Sequence, residues 1–139
     1  MNLVLDSSLA LSWCFENEAT EATQEVLESL VTGTAFVPSL WWWEVNNSLC
    51  MSQRKGRITA EWRIRMTAML TGLRIEEDEF SLRQVPGEIA RLAIKHDLTV
   101  YDATYLEMAI RLALPLGSLD KPLRAAAHKT KVPCLPAKV

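Results

Sequence analysis

Four acidic residues stand at positions where a chain could do chemistry. Asp6 follows the short apolar run Leu3-Val4-Leu5, and Glu44 lies between Trp43 and Val45. Asp102 heads the amphipathic stretch Tyr101–Leu112, and Asp120 follows the apolar stretch Leu114–Leu119. In an open parallel sheet the strand ends along one edge form a crevice, so carboxylates that follow strands can meet there. Acids crowded in this way repel and raise one another's pKa unless a cation neutralises them. An all-oxygen set with neither His nor Cys suits Mg²⁺ or Mn²⁺. Such an ion activates a water and stabilises charge on phosphoryl oxygens, which is the chemistry of phosphate-ester hydrolysis.

Each acid also has a plainer reading. Asp6 and Asp120 serve equally well as helix N-caps. Asp102 is at home in a first helical turn, facing free N–H groups and the positive end of the helix dipole. Glu44 is harder to explain without a partner, because acids are seldom set among such apolar neighbours. Spacing alone leaves both readings open.

The elements that must position these acids follow from periodicity and punctuation. Short apolar runs at Asn2–Leu5, Ala35–Val37, Leu73–Ile75, Leu114–Leu119 and Val132–Leu135 read as strands, the last an edge strand because Pro133 restricts pairing. Between them lie helical patterns: one from Ser7 or Ser8 through Trp13, then Glu18–Val31, Ser39 to Gly56, Thr59–Thr71, Val85–Lys95, Tyr101–Leu112 and Lys121–Lys129. Alternating strands and helices indicate an α/β fold with a mainly parallel sheet. Glu44 and Asn47, three apart on one helix, share a face. Trp41, Trp42 and Trp43 span about 200° of a helical wheel, so at least one must be exposed or covered by a partner.

Composition narrows the function classes. At 139 residues, nearly half of them apolar, the chain is expected to form one domain over 1–139 with a real core. No apolar run is long enough to span a bilayer, and no signal peptide is read at the start. Cys14, Cys50 and Cys134 are scattered, and reduced thiols in a cytoplasmic protein are their simplest reading. The two histidines, His96 and His128, have no Cys or His partner nearby, which argues against zinc. A net charge of −2 argues against nucleic-acid binding by bulk electrostatics. The distribution says more. Glutamates over residues 16–28 and the run Glu76-Glu77-Asp78-Glu79 read as solvated faces. Basic clusters at Arg54, Lys55, Arg57, Arg63 and Arg65, and at Lys121, Arg124, Lys129 and Lys131, lie beside the acids of interest and make a local phosphate-binding surface plausible.

The segments LVLDSS (3–8), P-x-L-x-x-x-E-V-x-N (38–47), RKGRI (54–58), YDATYLEMA (101–109) and LDKPLRAAA (119–127) together resemble PIN-domain ribonucleases, in order and over nearly the whole chain. The closest group is the VapC-type toxins of bacterial toxin–antitoxin pairs. The resemblance implies a PIN-like three-layer α/β/α fold and a Mg²⁺- or Mn²⁺-dependent endoribonuclease that hydrolyses RNA phosphodiesters. It implies Asp6, Glu44, Asp102 and Asp120 as the catalytic acids, with Asp6, Asp102 and Asp120 the metal-binding set. Ser8 and Asn47 match supporting polar positions, and Ser118 stands where many relatives carry Thr. It implies a homodimer and a cognate antitoxin as well. Arg54, Lys55, Arg57 and Lys121 are the expected contacts for RNA phosphates, or for an acidic antitoxin tail. Trp41 and Trp42 are the expected surface for an antitoxin helix. Two other classes compete: a catalytically silent PIN-like binding module, whose mark would be a missing acid, and an aspartate-nucleophile phosphatase with Asp6 as nucleophile. The latter would carry a second Asp where Ser8 stands.

Overall fold

The computed structural model describes residues 1–139. Its centre is a five-stranded, all-parallel sheet in the order β3-β2-β1-β4-β5, with β1 at Leu3–Leu5, β2 at Ala35–Val37, β3 at Ile75–Glu77, β4 at Leu116–Gly117 and β5 at Cys134–Leu135. Helices complete a three-layer α/β/α architecture, as the alternation of elements implies. They are α1 (Ser7–Ser12), α2 (Glu21–Ser29), α3 (Ser39–Arg54), α4 (Ala60–Thr71), α5 (Ser81–Gln84), α6 (Ala90–His96), α7 (Val100–Leu112) and α8 (Lys121–Lys129). No helix is long and apolar enough to cross a membrane.

The strand order carries the functional consequence. From β1 the chain moves outward through β2 to β3, then returns to the other side of β1 as β4. The carboxyl ends of β1 and β4 therefore flank a topological switch point, where open α/β sheets form their crevice. All three residues of β1 are buried, as both strands beside it require. At Gly117 in β4 a Cβ would stand 2.8 Å from a Leu9 methyl and 3.2 Å from a Leu3 methyl. The missing side chain lets α1 and β1 close against β4. Helix α7 packs on both β1 and β4, bringing its first turn to the same edge.

Several boundaries depart from the sequence-based expectation. Strand β3 is Ile75–Glu77 rather than Leu73–Ile75. An edge strand is held by backbone pairing and leaves side chains in water, so acids are tolerated where an apolar run is expected. The helix expected at Val85–Lys95 begins earlier, at Ser81, and passes Pro86 through a π-helical segment, Val85–Ile89. Proline supplies no N–H and crowds the preceding turn, and the wider turn accommodates it. Asp78 is not simply a solvated acid: Arg111, at the end of α7, bonds both Asp78 and the buried Glu107.

Trp41 needs a correction. Expected at a partner surface, it is fully buried, because Trp41, Val45 and Leu49 form the core-facing stripe of α3. Trp42 is half-buried and meets Trp41 edge-on at 4.9 Å. Trp43 is the exposed member that the wheel geometry demands, at 76 %. Trp41→Ala is accordingly expected to cost roughly 3–5 kcal/mol in urea unfolding. Trp43→Ala should stay within about 0.5 kcal/mol of the parent. Equal effects would contradict this placement.

Candidate active site

Asp6 occupies the N-cap position of α1 with an extended backbone, yet its side chain makes no capping bond. Its Oδ2 instead accepts hydrogen bonds from the hydroxyls of Ser8 and Ser118, each at 2.6 Å. Only 3 % of the residue is exposed, so the simple cap reading fails for Asp6. The same hydroxyls stitch the two strand ends together: Ser8 Oγ accepts from the Leu119 N–H at 2.9 Å, and Ser118 Oγ from the Asp120 N–H at 3.1 Å. Ser8 and Ser118 thus both bond Asp6.

Asp120 does cap its helix, with Oδ2 accepting from the Leu123 N–H at 3.0 Å. Its Oδ1 takes no protein hydrogen bond, so capping consumes one oxygen and leaves the other for a ligand. Asp102 lies in the first turn of α7, oriented by Thr99, whose hydroxyl accepts the Asp102 N–H at 3.0 Å. Glu44 projects from α3, its Oε1 accepting from the Tyr105 hydroxyl at 2.5 Å and the Ser7 hydroxyl at 3.3 Å. Tyr105 and Ser7 were not among the expected site residues. A signal existed for Tyr105: it lies three residues after Asp102, on the same helical face. Asn47, by contrast, is exposed and takes no part in this network.

The electrostatics show that the four acids form one group. Burial pushes the Asp6 carboxyl up, the Ser118 and Ser8 hydroxyls pull it down, and the Asp120 charge raises it again. Glu44 is raised chiefly by burial, against the opposing Tyr105 hydrogen bond, with Asp6 adding repulsion. Asp102 is pushed up to about 6, first by burial and then by Asp120, Asp6 and Glu44. Tyr105, buried beside two acids, is held firmly in its protonated, donating form. The ion pairs of the chain, Arg91–Glu88, Arg111–Asp78 and Arg111–Glu107, include none of the four. Their partners are hydroxyls and backbone amides, which donate hydrogen bonds but neutralise no charge.

This donor set fits a hard divalent cation. No three Asp, Glu, His or Cys side chains converge closely enough to hold a metal ion among them. Mg²⁺ keeps several waters and binds through one or two carboxylates, so it does not require three such side chains to converge. Asp6, Asp102 and Asp120 are the residues expected to hold it, directly or through water.

Beside Asp120, the one of the four acids on its wall, opens a cleft of about 580 Å³ lined also by Ser8, Ser48, Ser52, Lys55, Arg57 and Lys121. Three of the four expected phosphate contacts therefore gather where an anionic chain would approach. Arg54 does not line the cleft; it is exposed, with Nη1 3.4 Å from Met51 Sδ.

The raised Asp102 carboxyl has a consequence for stability. Its ordinary value is 3.8 and its folded value about 6, so the folded state holds the proton more tightly. Above that folded value the ionised group disfavours folding, and the penalty fades as pH falls toward the ordinary value. Asp102→Asn should therefore raise the Tm of the metal-free protein at neutral pH, with the gain disappearing near pH 4. Mn²⁺ should raise the Tm of the parent more than that of the variant. A gain independent of pH would show that Asp102 does not carry this repulsion.

Residues 3–129 match the family model for the PIN domain. The fold is similar to PAE2754 from Pyrobaculum aerophilum, with TM-score 0.64, 22 % identity, and coverage of 91 % of this chain and 87 % of that one. It is also similar to VapBC2 from Rickettsia felis bound to a DNA fragment from their promoter, with TM-score 0.65, 16 % identity, and coverage of 91 % and 93 %. No curated protein sequence matches the chain. With the match spanning all four acids and the elements that carry them, the chain belongs to the PIN-domain family.

Proposed function

We propose that the protein is a Mg²⁺- or Mn²⁺-dependent endoribonuclease of the VapC type, the toxin of a toxin–antitoxin pair. The observation that carries this reading is the group of four acids near the sheet's switch point, none of them bonded to a protein cation, of which Asp120 also lines a cleft with three cations on its walls. Asp6, Asp102 and Asp120 would hold the ion. When bound, the metal supplies a water of lowered pKa and neutralises charge on the phosphoryl oxygens.

The remaining steps belong to side chains. Lys55, Arg57 and Lys121 draw the RNA phosphates into the cleft and set the scissile group beside Asp120. Glu44, held in one orientation by Tyr105 and Ser7, accepts the proton of the attacking water. Its raised pKa brings it closer to the range a general base needs at neutral pH. Ser8 and Ser118 satisfy Asp6 Oδ2 and fix its plane. Water attack on phosphorus with departure of the 3′ oxygen leaves a 5′-phosphate and a 3′-hydroxyl. A missing acid would favour the silent binding module; all four are present and adjacent.

The toxin reading brings a cognate antitoxin and a homodimer. The fold shared with VapBC2 supports it, as does the aromatic surface that α3 leaves open to solvent. With Trp41 in the core, that surface consists of the half-buried Trp42 and the exposed Trp43.

The test is cleavage of unstructured RNA by partner-free protein with Mn²⁺ or Mg²⁺ and with chelator. The expected result is discrete metal-dependent fragments bearing 5′-phosphates. Asp6→Asn and Asp102→Asn should each reduce the rate by at least about a hundredfold. Fragments that persist in both variants, or in chelator, would overturn the assignment.

A further inference from the structure

The cleft beside the acids holds more than phosphate ligands. Its lining also includes Leu11, Phe15, Met51, Leu119 and Glu18. A second hollow of about 440 Å³ shares Phe15 and Arg57 with the first and continues past Asn17 and Thr59 to Trp62. The two adjoin at those residues. Together they make a track from Asp120, past Lys121, Lys55 and Arg57, to an end bounded by two aromatic rings. Trp62 is set in place: its Nε1–H donates to the Cys14 carbonyl at 2.8 Å, tying α4 to the turn that carries Phe15. The Arg65 guanidinium lies 5.4 Å from the Trp62 ring centroid. Both aromatic residues are only partly covered.

We propose that this end of the track is a stacking subsite for an unpaired base of single-stranded RNA, flanking the scissile phosphate on Phe15 and Trp62. The inference rests on the nuclease reading and goes on to name the residues that hold a base beside the cut. Two features favour a base there over another phosphate. Glu18 and Glu16 line the Phe15 end, where a phosphate would be repelled but a base amino group would find an acceptor. Aromatic faces beside a cationic groove are the means by which proteins hold single strands, since every base has a π-face. A duplex keeps its bases stacked inside and offers neither rings nor amino edges to this wall. Arg57, common to both hollows, is placed to hold the phosphate between the cutting site and the stacked base.

The experiment uses the full chain in its Asp102→Asn form, so that RNA survives, and fluorescence anisotropy with a labelled, unstructured oligoribonucleotide and with a matched duplex. Phe15→Leu keeps the apolar packing and removes the ring; it should weaken single-strand binding about tenfold and leave duplex binding unchanged. Phe15→Tyr and Trp62→Phe retain a ring at each place and should bind close to the parent, even where Trp62→Phe loses the bond to Cys14. Thermal melting confirms that each variant is folded. Undiminished single-strand binding by Phe15→Leu would overturn the subsite, while metal-dependent cleavage by the wild type would leave the nuclease reading standing. If Phe15→Leu keeps RNA affinity but loses a helical protein partner, the groove belongs to that partner and the subsite falls. Absence of RNA binding by every form, with no cleavage by the wild type, would overturn both readings.

Discussion

The structure depends on one electrostatic constraint: four carboxylates from four separate elements meet at one sheet edge with no Lys or Arg bonded to any of them. Elsewhere the chain pairs its buried charge with care, and Arg111 joins both Asp78 and Glu107. Against that background, an unneutralised acidic group is not an oversight of packing. A core without function would replace these acids or supply a cation, because repulsion among partly buried carboxylates opposes folding. The hydroxyls of Ser7, Ser8, Ser118 and Tyr105 orient the acids without discharging them. On the proposed reading, an external cation supplies the missing charge.

The fold serves that constraint. Parallel order places the ends of β1 and β4 side by side, and Gly117 removes the side chain that would hold α1 away. The first turn of α7 brings Asp102 to the same edge, and α3 brings Glu44 across to meet Tyr105. Asp6, Asp102 and Asp120 stand at the ends of elements, the first and last where a strand hands over to a helix, while Glu44 comes from within α3. The basic residues arrive from the end of α3 and the start of α8, which frame the cleft. Attraction for an anionic chain and repulsion among the acids are thereby kept a few residues apart.

Much of this was legible in the sequence, for physical reasons. Aspartates directly after apolar runs mark strand ends in a parallel sheet, and the alternation of elements sets the sheet type. Ser8 and Ser118 could be anticipated as hydroxyls beside those aspartates. Legibility failed where the deciding contact is distant along the chain. Ser7 and Tyr105 act on Glu44 across 37 and 61 residues. A PIN-like resemblance pointed to Asn47, but its side of α3 faces water. Trp41 was misplaced because a run of three tryptophans does not by itself reveal which one continues the Val45 and Leu49 stripe. Strand β3 was shifted because acids on an edge strand obey backbone pairing rather than hydrophobic pattern.

The central claim is that the acidic group exists to hold a divalent cation. The most direct measurement is Mn²⁺ binding to the metal-free protein by electron paramagnetic resonance, which reads free ion as it disappears, for the parent and for Asp6→Asn. Saturable loss of the free-ion signal in the parent, strongly weakened by Asp6→Asn, is the predicted result. Equal binding by both proteins, or none by the folded parent at millimolar ion, would contradict the account.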